Sequence, residues 1–167
     1  MAKKEHLKQA PKIVRIGIIT VSTTRSAADD KSGQWMKRQC EKEGHEIADY
    51  RIVTDDRHEI TKAVSKSIDT CKPDILLVNG GTGISRTDVT IEALTPLFAK
   101  ELTAFGTLFA TLSFHQIDSA AILSRATAGI IGDTAVFCLP GSLKGCKLAC
   151  IELILPEIKH ISAHLQN

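Results

Sequence analysis

Aromatic residues are scarce in this sequence of 167 residues, of which they make up only 4%. No basic run is interleaved with aromatic residues, so the chain lacks the stacking platforms that bind single-stranded nucleic acid. The net charge is only +2 at pH 7, which indicates no strong attraction to nucleic acid or to a membrane surface. No apolar run is long enough to cross a bilayer. We therefore expect neither nucleic acid nor a membrane among the partners of this protein.

The sequence also lacks Cys-x-x-Cys pairs and the apolar core of a signal peptide. Residues 1–10 are polar and rich in lysine, and they predict a flexible arm. An odd number of cysteines, five, favours reduced thiols and a cytoplasmic location. Cys146 and Cys150 are spaced as i, i+4, but no nearby ligand completes a zinc site, so we interpret them as packing residues.

Apolar, β-branched runs alternate with segments of helical periodicity. Strands are predicted at residues 12–21, 46–53, 75–79 and 135–139, and helices at residues 35–43, 59–71, 89–102, 119–126 and 148–165. Residues 105–113 are apolar and fit either element, and Pro96 and Pro156 should break or bend their helices. The alternation predicts one α/β domain over residues 11–167. Its sheet should be mostly parallel and Rossmann-like, with helices on both faces in three layers.

Four predicted strands end in loops that carry polar residues or glycine. These loops are residues 22–25, 54–56, 80–88 and 140–142. Because ligands of parallel sheets bind beyond the carboxyl ends of the strands, we expect one site across all four loops.

Three glycines within four residues, Gly80, Gly81 and Gly83, follow the apolar strand at residues 75–79. Such a turn lets backbone N–H groups approach an anion, because glycine has no Cβ and tolerates positive φ. The helix that follows should add its N-terminal dipole. The spacing fits neither the Walker loop nor the dinucleotide fingerprint, which disfavours a nicotinamide or flavin enzyme. The alternative interpretation is a tight turn between a strand and a helix.

Two carboxylates, Asp55 and Asp88, follow two of these strands. Each has a structural alternative, because Asp55 can stabilise a turn and Asp88 or Thr90 can cap a helix. Two carboxylates beside an anion site would repel a phosphate unless a cation lies between them. Mg²⁺ is the natural candidate, since it binds one or two carboxylates together with substrate phosphate oxygens.

The run from Asn79 to Thr90 resembles the signature of the MoaB/MogA family of molybdenum-cofactor biosynthesis proteins. Further matching segments are Thr20-Val21-Ser22, Val53-Thr54-Asp55-Asp56, Leu123-Ser124-Arg125-Ala126 and Leu139-Pro140-Gly141-Ser142. The resemblance covers residues 13–161, and residues 92–113 are more similar to MoaB than to MogA.

The resemblance implies a molybdopterin-binding α/β fold, assembled as a trimer or as two trimers forming a hexamer. It also implies Mg²⁺- and ATP-dependent adenylylation of molybdopterin. Asp55 and Asp88 would bind Mg²⁺ and act in catalysis. The implied substrate contacts are Ser22, Gly80, Gly81, Thr82, Gly83, Ser113, Pro140, Gly141 and Ser142.

This sequence departs from the family pattern at three positions. Thr87 precedes Asp88 where an arginine is usual, Thr23 replaces an acid after Ser22, and Gln116 replaces a glutamate. Further positive charge would come from Arg86 or Lys144. A molybdopterin carrier or scaffold without turnover is the alternative function.

Overall fold

The computed structural model describes Pro11 and residues 13–166, so the predicted arm at residues 1–10 lies outside the described residues. The strands are β1 (Arg15–Val21), β2 (Glu46–Val53), β3 (Ile75–Asn79), β4 (Lys100–Glu101), β5 (Thr127–Ile131) and β6 (Thr134–Leu139). The α-helices are α1 (Lys31–Lys42), α2 (Arg57–Cys71), α3 (Thr90–Leu94), α4 (Thr103–Ile117), α5 (Leu143–Leu148) and α6 (Ile158–Leu165). A π-helical stretch (Ala149–Ile154) and a 3₁₀ turn (Leu155–Glu157) join α5 to α6. The 3₁₀ turn contains Pro156.

The strands form one six-stranded sheet in the order β2-β1-β3-β6-β5-β4. The first four of these strands are mutually parallel. Strand β5 pairs antiparallel with β6, and β4 pairs antiparallel with β5. The prediction of a mostly parallel α/β sheet is therefore confirmed. β3 lies at the centre, which explains why all five of its residues are buried.

Both faces of the sheet are covered, and each face has its own apolar core. Alternate residues of β3 supply the two cores: Ile75 and Leu77 pack on the side of α1, α4 and α5, whereas Leu76 and Val78 pack on the side of α2 and α3. This alternation follows from the period of two in a β-strand. The three predicted layers are thus present.

The carboxyl ends of the four parallel strands lie along one edge of the sheet. Val21 pairs with Val53, Thr20 pairs with Asn79, and Asn79 pairs with Leu139. The loops after β1, β2, β3 and β6 therefore begin side by side, as the sequence predicts.

Two sequence predictions for the middle of the chain are only partly right, although the expected break at Pro96 is confirmed. The helix expected at residues 89–102 ends after a 3₁₀ turn (Thr95–Leu97) that contains Pro96, and strand β4 follows it. The helix expected at residues 119–126 is a 3₁₀ helix (Asp118–Leu123), and the sequence analysis missed β5 after it. The ambiguous residues 105–113 lie inside α4. Over the residues that the structure describes, no helix has both the length and the apolar character needed to cross a bilayer.

Candidate active site

The glycine turn after β3 brings the backbone close to its neighbours. Gly80 and Gly81 have φ values of +98° and +63°, which favour glycine. A Cβ at Gly80 would lie 2.2 Å from the carbonyl oxygen of Val21, and one at Gly81 would lie 2.5 Å from Oγ1 of Thr90. Thr90 closes the turn, because its hydroxyl donates to the Gly80 carbonyl at 2.7 Å. Larger side chains are therefore excluded from the turn.

Helix α3, which follows this turn, is only five residues long. It therefore contributes less dipole than the longer helix that the sequence predicts. Neither Asp88 nor Thr90 caps it, since its N-terminal flanking residue is Val89 and no side chain caps the helix. The capping alternative for Asp88 is thus wrong.

The carboxylate of Asp88 closes the glycine loop from the other side. Its Oδ2 accepts hydrogen bonds from the backbone N–H of Ser85 at 2.8 Å and from the Ser85 hydroxyl at 2.6 Å. These bonds, led by that from the hydroxyl, lower the pKa of Asp88, with help from Gly83 and Arg125. A Cβ at Gly83 would lie 2.7 Å from the same oxygen. Asp88 is therefore an ionised carboxylate held against the loop.

Asp55, in the loop after β2, reaches across to the loop after β1. Its Oδ2 accepts hydrogen bonds from the backbone N–H of Thr23 at 2.7 Å and from the Thr23 hydroxyl at 2.8 Å. Its other oxygen faces the glycine turn, since a Cβ at Gly81 would lie 3.3 Å from Oδ1. Asp55 therefore joins the loops after β1, β2 and β3.

An open cavity of about 500 Å³, the glycine-loop cavity, lies over these loops. Its walls include Gly81, Thr82, Gly83, Asp88, Pro140, Gly141 and Ser142, all predicted site residues, together with Arg25, Ser124 and Arg125. The side chain of Ser142 also caps α5, because it accepts a hydrogen bond from the N–H of Gly145 at 3.1 Å. The structure thus brings together most of the residues that the resemblance implies.

A second cavity of about 490 Å³, the Ser22 cavity, adjoins the loops after β1 and β2. Ser22 lines it and also shapes its own loop, since the Ser22 hydroxyl accepts a hydrogen bond from the backbone N–H of Arg25 at 3.1 Å. Arg25 lines both cavities. Ser113, in contrast, is buried on α4 and lines neither of these two cavities.

The positive charge at the site comes from residues that the sequence analysis did not select. Arg25 and Arg125 line the glycine-loop cavity, whereas Lys144 lines a different cavity beside α4, and Arg86 is exposed outside the lining of both. The signal was present, because Arg25 lies in a loop placed at the site and Arg125 lies in a segment that matches the family. What the sequence could not supply was the direction of the side chains.

Two of the three guanidinium nitrogens of Arg125 are engaged by the protein. Its Nε donates to the Thr82 carbonyl at 2.8 Å, and its Nη1 contacts Oε1 of Glu92 at 2.7 Å. The hydrogen bond to Glu92 raises the pKa of Arg125, and the same bond lowers the pKa of Glu92. Arg125 therefore stabilises the conformation of the glycine loop.

Comparison with known proteins agrees with this geometry. A family model described as a probable molybdopterin binding domain matches residues 17–160. Molybdenum cofactor biosynthesis protein B of Bacillus subtilis is 51% identical over 168 residues, which cover 100% of this chain and 99% of that protein. A Pyrococcus furiosus protein named molybdopterin adenylyltransferase is 41% identical over 173 residues and is covered completely, as is this chain.

Solved structures show the same relationship. A crystal structure of molybdenum cofactor biosynthesis protein B matches with a TM-score of 0.91 and 46% identity, over 95% of this chain and 99% of that one. The tungsten cofactor synthesizing protein MoaB from Pyrococcus furiosus matches with a TM-score of 0.84 and 39% identity, over 95% and 100% of the two chains. The fold is that of the molybdopterin-binding α/β domains. The chain belongs to the MoaB/MogA family of molybdenum-cofactor biosynthesis proteins, which confirms the resemblance.

Proposed function

We propose that this protein transfers AMP from ATP to molybdopterin and so forms adenylyl-molybdopterin. The observation that carries the proposal is the glycine-loop cavity, where Asp88 and Arg25 lie beside backbone that only glycine permits. Asp55 lies outside the lining of this cavity, but one of its oxygens faces the same glycine turn. A cavity with exposed backbone and guanidinium groups suits phosphate anions. The relative named molybdopterin adenylyltransferase adds support, since it aligns along its whole length with this chain.

The two carboxylates suit Mg²⁺, which prefers oxygen ligands. In each of them Oδ2 is engaged by a neighbouring hydroxyl and backbone N–H, and in Asp55 the second oxygen faces the glycine turn. No group of three or more metal-binding side chains occurs among the residues that the structure describes. We therefore propose that Asp55 and Asp88 hold Mg²⁺ only together with substrate phosphates, whose charge the ion would neutralise.

The proposed reaction requires no general base. A terminal phosphate oxygen of molybdopterin, which is already anionic at neutral pH, attacks the α-phosphorus of ATP. The bond from that phosphorus to the bridging oxygen breaks, and pyrophosphate leaves with the electron pair. The total charge is the same before and after this step, so the transfer itself needs neither a proton donor nor a proton acceptor. The protein's task is to bring two anions together and hold them, which agrees with a site without a catalytic histidine or cysteine.

The decisive experiment measures transfer and binding with the same preparation of protein. ATP labelled at the α-phosphate, Mg²⁺ and molybdopterin should give labelled adenylyl-molybdopterin, and EDTA should abolish the product. Binding of molybdopterin is measured in parallel without ATP. Binding without any transfer would reject the proposed enzyme and identify a molybdopterin carrier instead.

Location and assembly complete the proposal. We propose a cytoplasmic protein, and the structure agrees with reduced thiols in that all five cysteines are free.

We also propose a homo-oligomer, a trimer or a hexamer of two trimers. Helix α4 supports this, since much of its outward side is apolar and exposed.

A further inference from the structure

Arg25 occupies the boundary between the two cavities of the site. It lines both the glycine-loop cavity and the Ser22 cavity, and about one third of its side chain, 34%, is exposed. A reaction that joins two phosphate-bearing substrates needs two adjoining spaces and a cation where they meet. Arg25 has that position.

The guanidinium group of Arg25 has a defined direction. Its Nη1 donates to the Gly141 carbonyl at 3.1 Å, and a Cβ at Gly141 would lie 3.9 Å from both Nη atoms. The guanidinium therefore lies in ordinary contact with the loop after β6. Its Nη2 contacts no hydrogen-bond acceptor within the described part of the chain, so it remains available to a ligand.

A buried carboxylate lies behind Arg25. Asp30 is 0% exposed, and its Oδ1 is 3.9 Å from Nη1 of Arg25. It accepts hydrogen bonds from the Thr20 hydroxyl at 2.5 Å, the Tyr50 hydroxyl at 2.8 Å and the Gly33 N–H at 3.0 Å. These bonds fix the negative charge in one place, and that charge attracts the guanidinium toward Gly141.

Among the residues that the structure describes, Arg125 has fewer unoccupied guanidinium nitrogens than Arg25. Its contacts with Glu92 and Thr82 bind two of its three nitrogens at 2.7 and 2.8 Å. Arg25 makes one hydrogen bond to a carbonyl and one longer contact with a carboxylate, so it keeps a greater capacity for a new anion.

We propose that Arg25 binds the phosphate group at which the two substrates are joined, and that Asp30 is the positioning residue that directs it there. This assignment rests on the proposed adenylyl transfer. A guanidinium at that point would stabilise the charge that crowds around the α-phosphorus as the new P–O bond forms and the bond to pyrophosphate breaks.

Arg25→Gln tests the assignment, because glutamine keeps a donor for the Gly141 carbonyl but removes the charge. We expect kcat to fall about ten- to a hundredfold, the usual effect of losing a charge-assisted hydrogen bond. Arg38→Gln is the matched control, since Arg38 is an exposed arginine of α1. An unchanged kcat in Arg25→Gln would overturn the proposal even if the wild-type protein transfers AMP.

Pyrophosphate binding supplies a readout that is independent of turnover. Calorimetry with inorganic pyrophosphate and Mg²⁺ should show weaker binding to Arg25→Gln than to the wild type or to Arg38→Gln. If the wild type does not transfer AMP but this difference is present, the proposed reaction fails while Arg25 stands as a phosphate-binding residue. Equal pyrophosphate binding by all three proteins, or none, would overturn the assignment of Arg25.

The role of Asp30 is tested by a double-mutant cycle. Asp30→Asn removes the charge behind Arg25 and keeps one acceptor oxygen, which can still cap α1 through the Gly33 N–H, while its amide NH₂ group faces the Thr20 and Tyr50 hydroxyls. We expect kcat to fall several-fold in the Arg25 background and to change little further when Arg25 is already glutamine. Equal effects in both backgrounds would show that Asp30 only supports the fold.

Discussion

Asp55 accepts two hydrogen bonds from Thr23, one from the backbone N–H at 2.7 Å and one from the hydroxyl at 2.8 Å. The resemblance to the family implies an acid at position 23, and this chain has a hydroxyl donor there instead. The direction of the Asp55 carboxylate therefore depends on its neighbour in the loop after β1.

Thr23→Val should lower AMP transfer several-fold, because it removes the hydroxyl donor while the backbone N–H bond remains. The lost bond corresponds to about 1 kcal/mol. Thr24→Val is the control, since Thr24 is the exposed neighbour in the same loop. Equal rates for the two variants would show that the hydroxyl does not position Asp55.

Asp55→Asn and Asp88→Asn should each reduce AMP transfer on the order of a hundredfold and leave the fold intact, because each removes a charge from the proposed Mg²⁺ site. Molybdopterin affinity should stay the same or improve, since negative charge is removed beside a phosphate. Asp133→Asn is the control, because Asp133 is exposed in the turn between β5 and β6, at the opposite end of the sheet. Transfer by both site variants at the wild-type rate would contradict the metal assignment.

Ser85→Ala should raise the pKa of Asp88 toward its usual value, because the Ser85 hydroxyl is the main cause of the lowered value. A lowered pKa in the folded state stabilises the protein above the pKa of the unfolded state. That contribution is lost as the pH falls through the folded value, so the stability that Ser85→Ala removes is present at neutral pH and disappears in acid. Carboxyl-carbon NMR titration of the two proteins measures the shift directly. Identical titration curves would assign the lowered pKa to other groups.

Gly81→Ala should damage both stability and binding. Its positive φ disfavours any side chain, and its Cβ would lie 2.5 Å from Oγ1 of Thr90. Gly44→Ala is the matched control, because φ is +82° there but no atom lies within 4 Å of the new Cβ. The control should lose only the strain of the left-handed region, about 1–2 kcal/mol. Urea unfolding of both variants, with molybdopterin titrations, separates strain from crowding, and equal losses would reject the crowding argument.

The exposed apolar side chains near α4 should lie in a subunit interface. They are Leu108, Phe114, Ile117, Ile122, Leu123 and Ile151, each 46–85% exposed. Light scattering of the wild-type protein should give a trimer or a hexamer, and Ile117→Asp with Ile151→Asp should shift it to the monomer. Ile13→Asp, at an exposed isoleucine before β1, should not. A wild-type monomer at micromolar concentration would contradict the prediction.

The parallel part of the fold could be predicted because its strands are apolar on both faces and follow one another at helix-length spacing. β5 could not, because it contains Gly129, whose Cβ would lie 2.2 Å from the ring of Phe98. Close packing there requires glycine, which is a poor strand former. Helix α4 was ambiguous because apolar residues lie on its outward side as well as its inward side, so no periodicity indicates which face is buried.

The sequence predicts the parts of the site that depend on backbone conformation. It predicts less well the contacts between side chains that are distant in sequence. Gly80 and Gly81 are recognisable in sequence because only glycine suits their conformation. Arg25 reaches Gly141 only after the sheet has placed the loops after β1 and β6 next to each other. Nothing in the spacing of those two residues predicts that contact.

The carbonyl of Gly141 accepts hydrogen bonds both from Arg25 Nη1 at 3.1 Å and from the Ser32 hydroxyl at 2.9 Å. One peptide group thus fastens the loop after β6 to the loop after β1 and to the first turn of α1. Because this loop is hydrogen-bonded from two directions, it loses little conformational entropy when a ligand enters the glycine-loop cavity. If the proposed phosphate site is correct, much of its shape is thus established when the chain folds, before any substrate arrives.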